Sequence, residues 1–123
     1  MGYITDRKRA AGLGSAKAGT EHHWAMTVTS VALAVLTPLF LLSFGSILGA
    51  SYEAVQTHYA HPYHALVAAL FLGVGCIHFK NGVRVLIEDY VHGLAREAAI
   101  IAMTCVSYAL FAVALFALAR LAL

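Results

Sequence analysis

Charge is what this chain has least of. Only 11% of its 123 residues are Asp, Glu, Lys or Arg, against 61% that are apolar. A water-soluble domain carries roughly 25% charged residues, and a chain this short can bury only part of its surface in a core of its own. The apolar excess must therefore face lipid, partner helices or a cofactor. The formal net charge of +2 gives no footing for nucleic acid. Cysteine too is scarce, with two residues in the chain. Cys76 and Cys105 both lie inside apolar stretches and no C-x-x-C pair exists, so neither a zinc site nor a redox motif is signalled. Both read as small apolar packing residues. No internal repeat and no low-complexity linker divides the chain.

What is present is three long apolar segments, so the expected fold class is all-α, an integral membrane domain of three transmembrane helices. The first runs from about Trp24 to Gly49 without a charge, long enough for a hydrocarbon core of about 30 Å. Trp24 suits an interfacial anchor, and Pro38 in mid-segment is expected to kink the helix by removing a backbone bond. The second starts at Pro62, a residue favoured in a first helical turn, and is expected to reach residue 88. Its uncharged part, Ala65 to Phe79, is only fifteen residues. The span must therefore run through Lys80 toward Arg84, whose long side chains can snorkel to the interface. His92-Gly93 marks the next turn. The third helix is expected over residues 97–121, and Ala98 to Ala119 gives it twenty-two residues without charge. Residues 24–122 thus form one membrane domain, and residues 50–61 a short loop within it.

Residues 1–23 are polar, glycine-rich and basic. No apolar run follows Arg7, Lys8 and Arg9, as a secretory signal would require, so they read as a retained arm ordered by a partner surface. Of the eight Lys and Arg, only Arg120 falls on the side opposite the arm and the connection between the second and third helices. The positive-inside rule then puts the N-terminus in the cytoplasm and the C-terminus outside.

One stripe carries chemistry. His78 lies at membrane depth, and Asp89 and Tyr90 follow eleven and twelve residues later. At about 100° per residue, Asp89 returns to within about 20° of the face of His78, about 16 Å further along the axis. Neutral imidazole is a good axial ligand for haem iron. Gly75 and Gly82, on nearly the same face, would let a flat macrocycle approach the backbone. The alternative is a histidine that hydrogen-bonds a neighbouring helix, and both readings stand on the residues alone. At the cytoplasmic end a tyrosine hydroxyl can donate to a quinone carbonyl and an aspartate can relay protons. An ordinary polar helix end is the competing reading. Glu88 has Arg84 four residues before it, the spacing of a surface ion pair. His64, beside Pro62 and Tyr63, reads as interfacial, and His58 and His61 as solvated loop residues. His22 and His23 flank Trp24 at the other interface, and His92 belongs to the turn. Thr27, Thr29, Ser30, Ser43, Ser46, Thr104 and Ser107 read as helix-packing hydroxyls and are assigned no site.

The arm Leu13-Gly14-Ser15-Ala16-Lys17-Ala18-Gly19-Thr20 leading into His22-His23-Trp24, the three segments in this order, and His78 followed by Val85-Leu86-Ile87-Glu88-Asp89-Tyr90-Val91-His92-Gly93 together resemble a known family. It is the small hydrophobic membrane-anchor subunit of bacterial succinate dehydrogenase, respiratory complex II, of the type with one haem b. The alphaproteobacterial variant is the most similar. The resemblance covers nearly the whole chain.

That resemblance implies that His78 is one axial ligand of haem b, with the second supplied by the partner anchor, a cytochrome b subunit. It implies that Asp89 and Tyr90 lie at the ubiquinone site beside the iron-sulfur subunit, with the flavoprotein subunit docked beyond. It also implies a bacterial inner-membrane location, and a chain that holds no complete active site of its own. Relatives carry an arginine early in the first helix, near a haem propionate, where this chain has Thr27. The same features would suit the anchor of a quinol-oxidising fumarate reductase. A cofactor-free structural subunit of a respiratory complex is the alternative from another class.

Overall fold

The computed structural model describes residues 4–12 and 19–123, and every described element is helical. They are α1 (Asp6–Ala11), α2 (Gly19–Gly45), α3 (Tyr52–Ala60), α4 (Pro62–Tyr90) and α5 (Leu94–Ala122). Three of these, α2, α4 and α5, are long and apolar enough to cross a membrane. The fold class is thus all-α, with three membrane-spanning helices. Leu13 to Ala18 of the arm, Lys17 among them, lie outside the described residues.

Within the arm, Asp6–Ala11 is helical through its own local bonds. Thr5 caps the helix by accepting from the Lys8 amide at 3.3 Å, as an N-cap threonine does for orphan amides. The first membrane helix starts earlier than its apolar run. α2 begins at Gly19 and takes in His22 and His23, because a helix end reaching into water has no need of apolar side chains. It ends at Gly45 rather than Gly49, and Pro38 lies inside it.

The stretch 50–61 is not a plain loop. Ser51 caps α3 by accepting from the Ala54 amide, and His61 caps α4 by accepting at Nδ1 from the Tyr63 amide, with Pro62 in the first turn. Gly49 at φ 78° makes the preceding corner, a backbone region that costs glycine little. Gly93 at φ 66° makes the corner between α4 and α5.

α4 is the central helix. It packs against both α2 and α5, and those two do not pack on each other among the described residues. α3 folds back as a cap over the end of the bundle opposite the α4–α5 corner and contacts α4 and α5. There Tyr59 of α3, Ala68 of α4 and Leu118 of α5 form the core cluster, with Phe40 of α2 and Ile47 of the turn after it packed against them. Phe40 also stacks on Phe71 with ring centroids 4.3 Å apart. Large apolar side chains elsewhere, such as Leu42, Leu66, Leu70, Ile101 and Val113, stay exposed. In water that would be costly. In a bilayer those side chains are at no disadvantage, and the same surface is available to partner helices.

Candidate functional site

His78 lies on the face of α4 that meets α2. Its Nδ1 is 2.9 Å from the hydroxyl of Thr29, a residue given no role on sequence grounds. The same hydroxyl lies 2.8 Å from the Ala25 carbonyl and 3.0 Å from the Met26 carbonyl of its own helix. A helical threonine commonly bonds back one turn in this way, and doing so points its oxygen at the neighbouring helix. The His78 ring is half-buried, and its Nε2 has no hydrogen-bond partner among the described residues. The Thr29 contact uses one ring nitrogen and leaves the other, a nitrogen of ligand type, without a partner among the described residues.

The two glycines of the stripe differ in surroundings. A Cβ built on Gly75 would meet nothing within 4 Å, whereas one on Gly82 would come to 3.8 Å from the Met26 methyl. Open space therefore adjoins Gly75, in a groove it shares with Phe79 of α4 and Ser107 and Leu110 of α5, and α2 covers the Gly82 side. The donor set fits a haem that takes one nitrogen from this chain. Among the described residues no three His, Cys, Asp or Glu side chains gather around a metal-sized site. His64 is fourteen residues back along α4, about 21 Å away, and is bonded elsewhere.

Asp89 and Tyr90 end the same uninterrupted helix, about 16 to 18 Å beyond His78. Both are exposed, Tyr90 to 79%, and neither hydrogen-bonds another described residue through its side chain. Val91 then caps α4 in extended conformation. Arg84 donates to Glu88 at 2.9 Å, the ion pair expected from their spacing, so Glu88 is engaged and Asp89 is not. Thr27 donates back to the His23 carbonyl at 3.0 Å. Lys80 turns away from His78 toward α5, with Nζ 3.4 Å from the Tyr108 hydroxyl and 5.2 Å from its ring centroid.

A second polar group stands at the opposite end. Ser43 Oγ lies 2.9 Å from His58 Nε2 and 2.8 Å from His64 Nδ1. His58 is thus a helical residue held inside the α3 cap rather than a solvated loop residue. Burial first, then the neighbouring His64 and His61 rings, hold its imidazole below the usual histidine range. Periodicity could not reveal this group, since its members come from three helices.

Compared with known proteins, residues 1–119 match the family described as succinate dehydrogenase/fumarate reductase transmembrane subunit. The chain is 50% identical over 123 residues to the succinate dehydrogenase hydrophobic membrane anchor subunit of Paracoccus denitrificans, covering all of this chain and 95% of that protein. No solved structure gives a significant match.

Proposed function

The chain belongs to the succinate dehydrogenase/fumarate reductase transmembrane subunit family, and from that premise we propose that it is half of the membrane anchor of a succinate dehydrogenase. Its partner in the anchor is a cytochrome b subunit, and together they dock the iron-sulfur and flavoprotein subunits. Succinate is oxidised at the flavin, and electrons pass through the iron-sulfur clusters to ubiquinone. The protein lies in a bacterial inner membrane, with the N-terminal arm and the α4–α5 corner in the cytoplasm and the C-terminus in the periplasm.

The observation that carries this reading is His78, tied through Nδ1 to Thr29 and left with an Nε2 that has no hydrogen-bond partner among the described residues. His78 would hold haem b through Nε2, with a histidine of the cytochrome b subunit completing the site. When bound, the haem supplies a one-electron store within the membrane. Tyr90 donates its hydroxyl to a ubiquinone carbonyl, and Asp89 carries protons between that site and the cytoplasm. Their exposure and lack of partners within the chain suit a pocket completed by other subunits. The chain contributes no residue to succinate oxidation itself.

The test is a visible spectrum of the purified complex. His78→Ala removes one strong-field ligand and is expected to abolish or alter the low-spin b-type spectrum, while His64→Ala leaves it. A wild-type spectrum in His78→Ala would remove His78 from the ligand set. A complex without haem in its native form would reduce the chain to a structural anchor.

A further inference from the structure

We propose that Thr29 is the positioning residue of His78: its hydroxyl fixes the imidazole in the tautomer that leaves Nε2 bare and strengthens the ring as a ligand. The proposal rests on the reading of His78 as a haem ligand and adds to it a residue on another helix.

The argument is one of hydrogen inventory. A hydroxyl has one proton to give and lone pairs to receive with, whereas a backbone carbonyl only accepts. Thr29 Oγ1 has two carbonyls in bonding range, Ala25 at 2.8 Å and Met26 at 3.0 Å. Its proton goes to them. What it presents to His78 Nδ1 at 2.9 Å is therefore a lone pair, and two lone pairs do not bond. Nδ1 must carry the hydrogen and donate it to Oγ1. Neutral imidazole has one ring hydrogen, so Nε2 carries none and is free to ligate. The reverse assignment gives up the hydroxyl's own bonds to these carbonyls and places a hydrogen on Nε2, where it blocks a metal.

The same bond sets electron density. A ligating histidine that donates its other N–H to an acceptor is more basic and is held in one ring orientation. A more basic imidazole favours ferric over ferrous iron, so Thr29 holds the reduction potential down. Through Thr29, α2 also fixes the rotation of the ring on α4.

Redox titration and electron paramagnetic resonance of the purified, haem-containing complex test this in Thr29→Val, Thr29→Ser and His78→Ala. Thr29→Val keeps shape and removes the hydroxyl. The expected result is a raised haem potential, seen as roughly tenfold more reduced haem at a fixed ambient potential, comparable to the effect of outer-shell partners on metal affinity, with a broadened low-spin signal. Thr29→Ser restores both. A purely packing role would spare the potential in Val and be disturbed by Ser. If Thr29→Val matches wild type while His78→Ala loses the low-spin signal, the ligand reading stands and the positioning proposal falls. If His78→Ala also keeps the signal, the ligand reading fails. Should Thr29→Val not hold haem, Thr29→Ser decides: recovery of the wild-type potential and signal supports the proposal, and failure overturns it.

Discussion

The imidazoles of His58 and His64 stack with ring centroids 3.7 Å apart and an interplanar angle of 24°. They belong to different helices, α3 and α4, and the Ser43 hydroxyl of α2 lies within 2.9 Å of a nitrogen on each. One hydroxyl can donate to one ring and accept from the other only while at least one imidazole is neutral. Ser43 is itself buried, so these bonds have little competition from water. The arrangement ties the α3 cap to the bundle.

Acid should loosen this end first. With its imidazole held below the usual range, the folded chain takes up a proton at His58 less readily than the unfolded chain does. The stabilisation is full above the ordinary histidine value of about 6.5 and is lost as pH falls below it, through the lowered folded value. His64 and His61 face the same ring and oppose its charging. Thermal unfolding of the complex should therefore fall between pH 7.5 and 5.5, and His58→Phe, which keeps a flat ring without titrating, should flatten that slope. An unchanged slope would assign the pH response elsewhere.

Ser43→Ala separates this end from the haem end. It leaves two imidazole nitrogens without their shared partner, a loss of about 1–3 kcal/mol. Unfolding of the complex should come at lower temperature, while the haem spectrum stays as in the native protein. A shifted spectrum would mean that the α3 cap transmits strain along α4 as far as His78.

The three apolar spans, the placement of His78, Asp89 and Tyr90 on one helix and the Arg84–Glu88 pair were legible because each is a local pattern on one helix. Thr29 with His78 and Ser43 with His58 and His64 were not. Their partners are 49, 15 and 21 residues apart, and their meeting depends on how helices rotate against one another. α3 escaped because nine residues make too few turns for an apolar period to stand out, although Ser51 offered an N-cap. The starts of α2 and α5 lie outside their apolar runs, since hydropathy marks the membrane and caps mark the helix.

Orientation can be read with thiol labelling. In a chain whose Cys76 and Cys105 are replaced by Ala, Ala50→Cys should react with a membrane-impermeant reagent from the periplasm. His92→Cys should react only after the cytoplasmic side is opened. The expectation follows from the basic residues gathered around the α4–α5 corner and the arm. Reversed labelling would invert the proposed topology.

Gly75→Leu tests whether the haem uses the open groove at Gly75, one turn before His78 on α4. Leucine is favoured over glycine in a helix by about 0.8 kcal/mol, and no atom lies within 4 Å of the new Cβ. The chain should fold and α4 should not weaken. If the haem lies along the Gly75 side of α4, the added side chain would take its space and haem content should drop in an assembled complex. Full haem content would place the macrocycle on another side of His78.

Tyr90→Phe keeps the ring and deletes only the hydroxyl, at a position 79% exposed in the isolated chain. Little of this chain's own packing depends on that oxygen. If it donates to a ubiquinone carbonyl, the bond strengthens as negative charge grows on the quinone oxygen during reduction. Losing a charge-assisted bond of about 1.5–3 kcal/mol should slow quinone reduction roughly ten- to a hundredfold. Electrons drawn off by an artificial acceptor before the quinone site should flow at the native rate. Asp89→Asn should slow the same step but with a steeper pH dependence, because the amide cannot carry a proton. Both assays belong on one set of membranes with equal assembled complex. Native quinone reductase activity in Tyr90→Phe would remove the proposed hydrogen bond. Joint failure of both acceptors would make Tyr90 a docking residue, and the exposed end of α4 would then serve as a foothold for the iron-sulfur subunit rather than a wall of the quinone pocket.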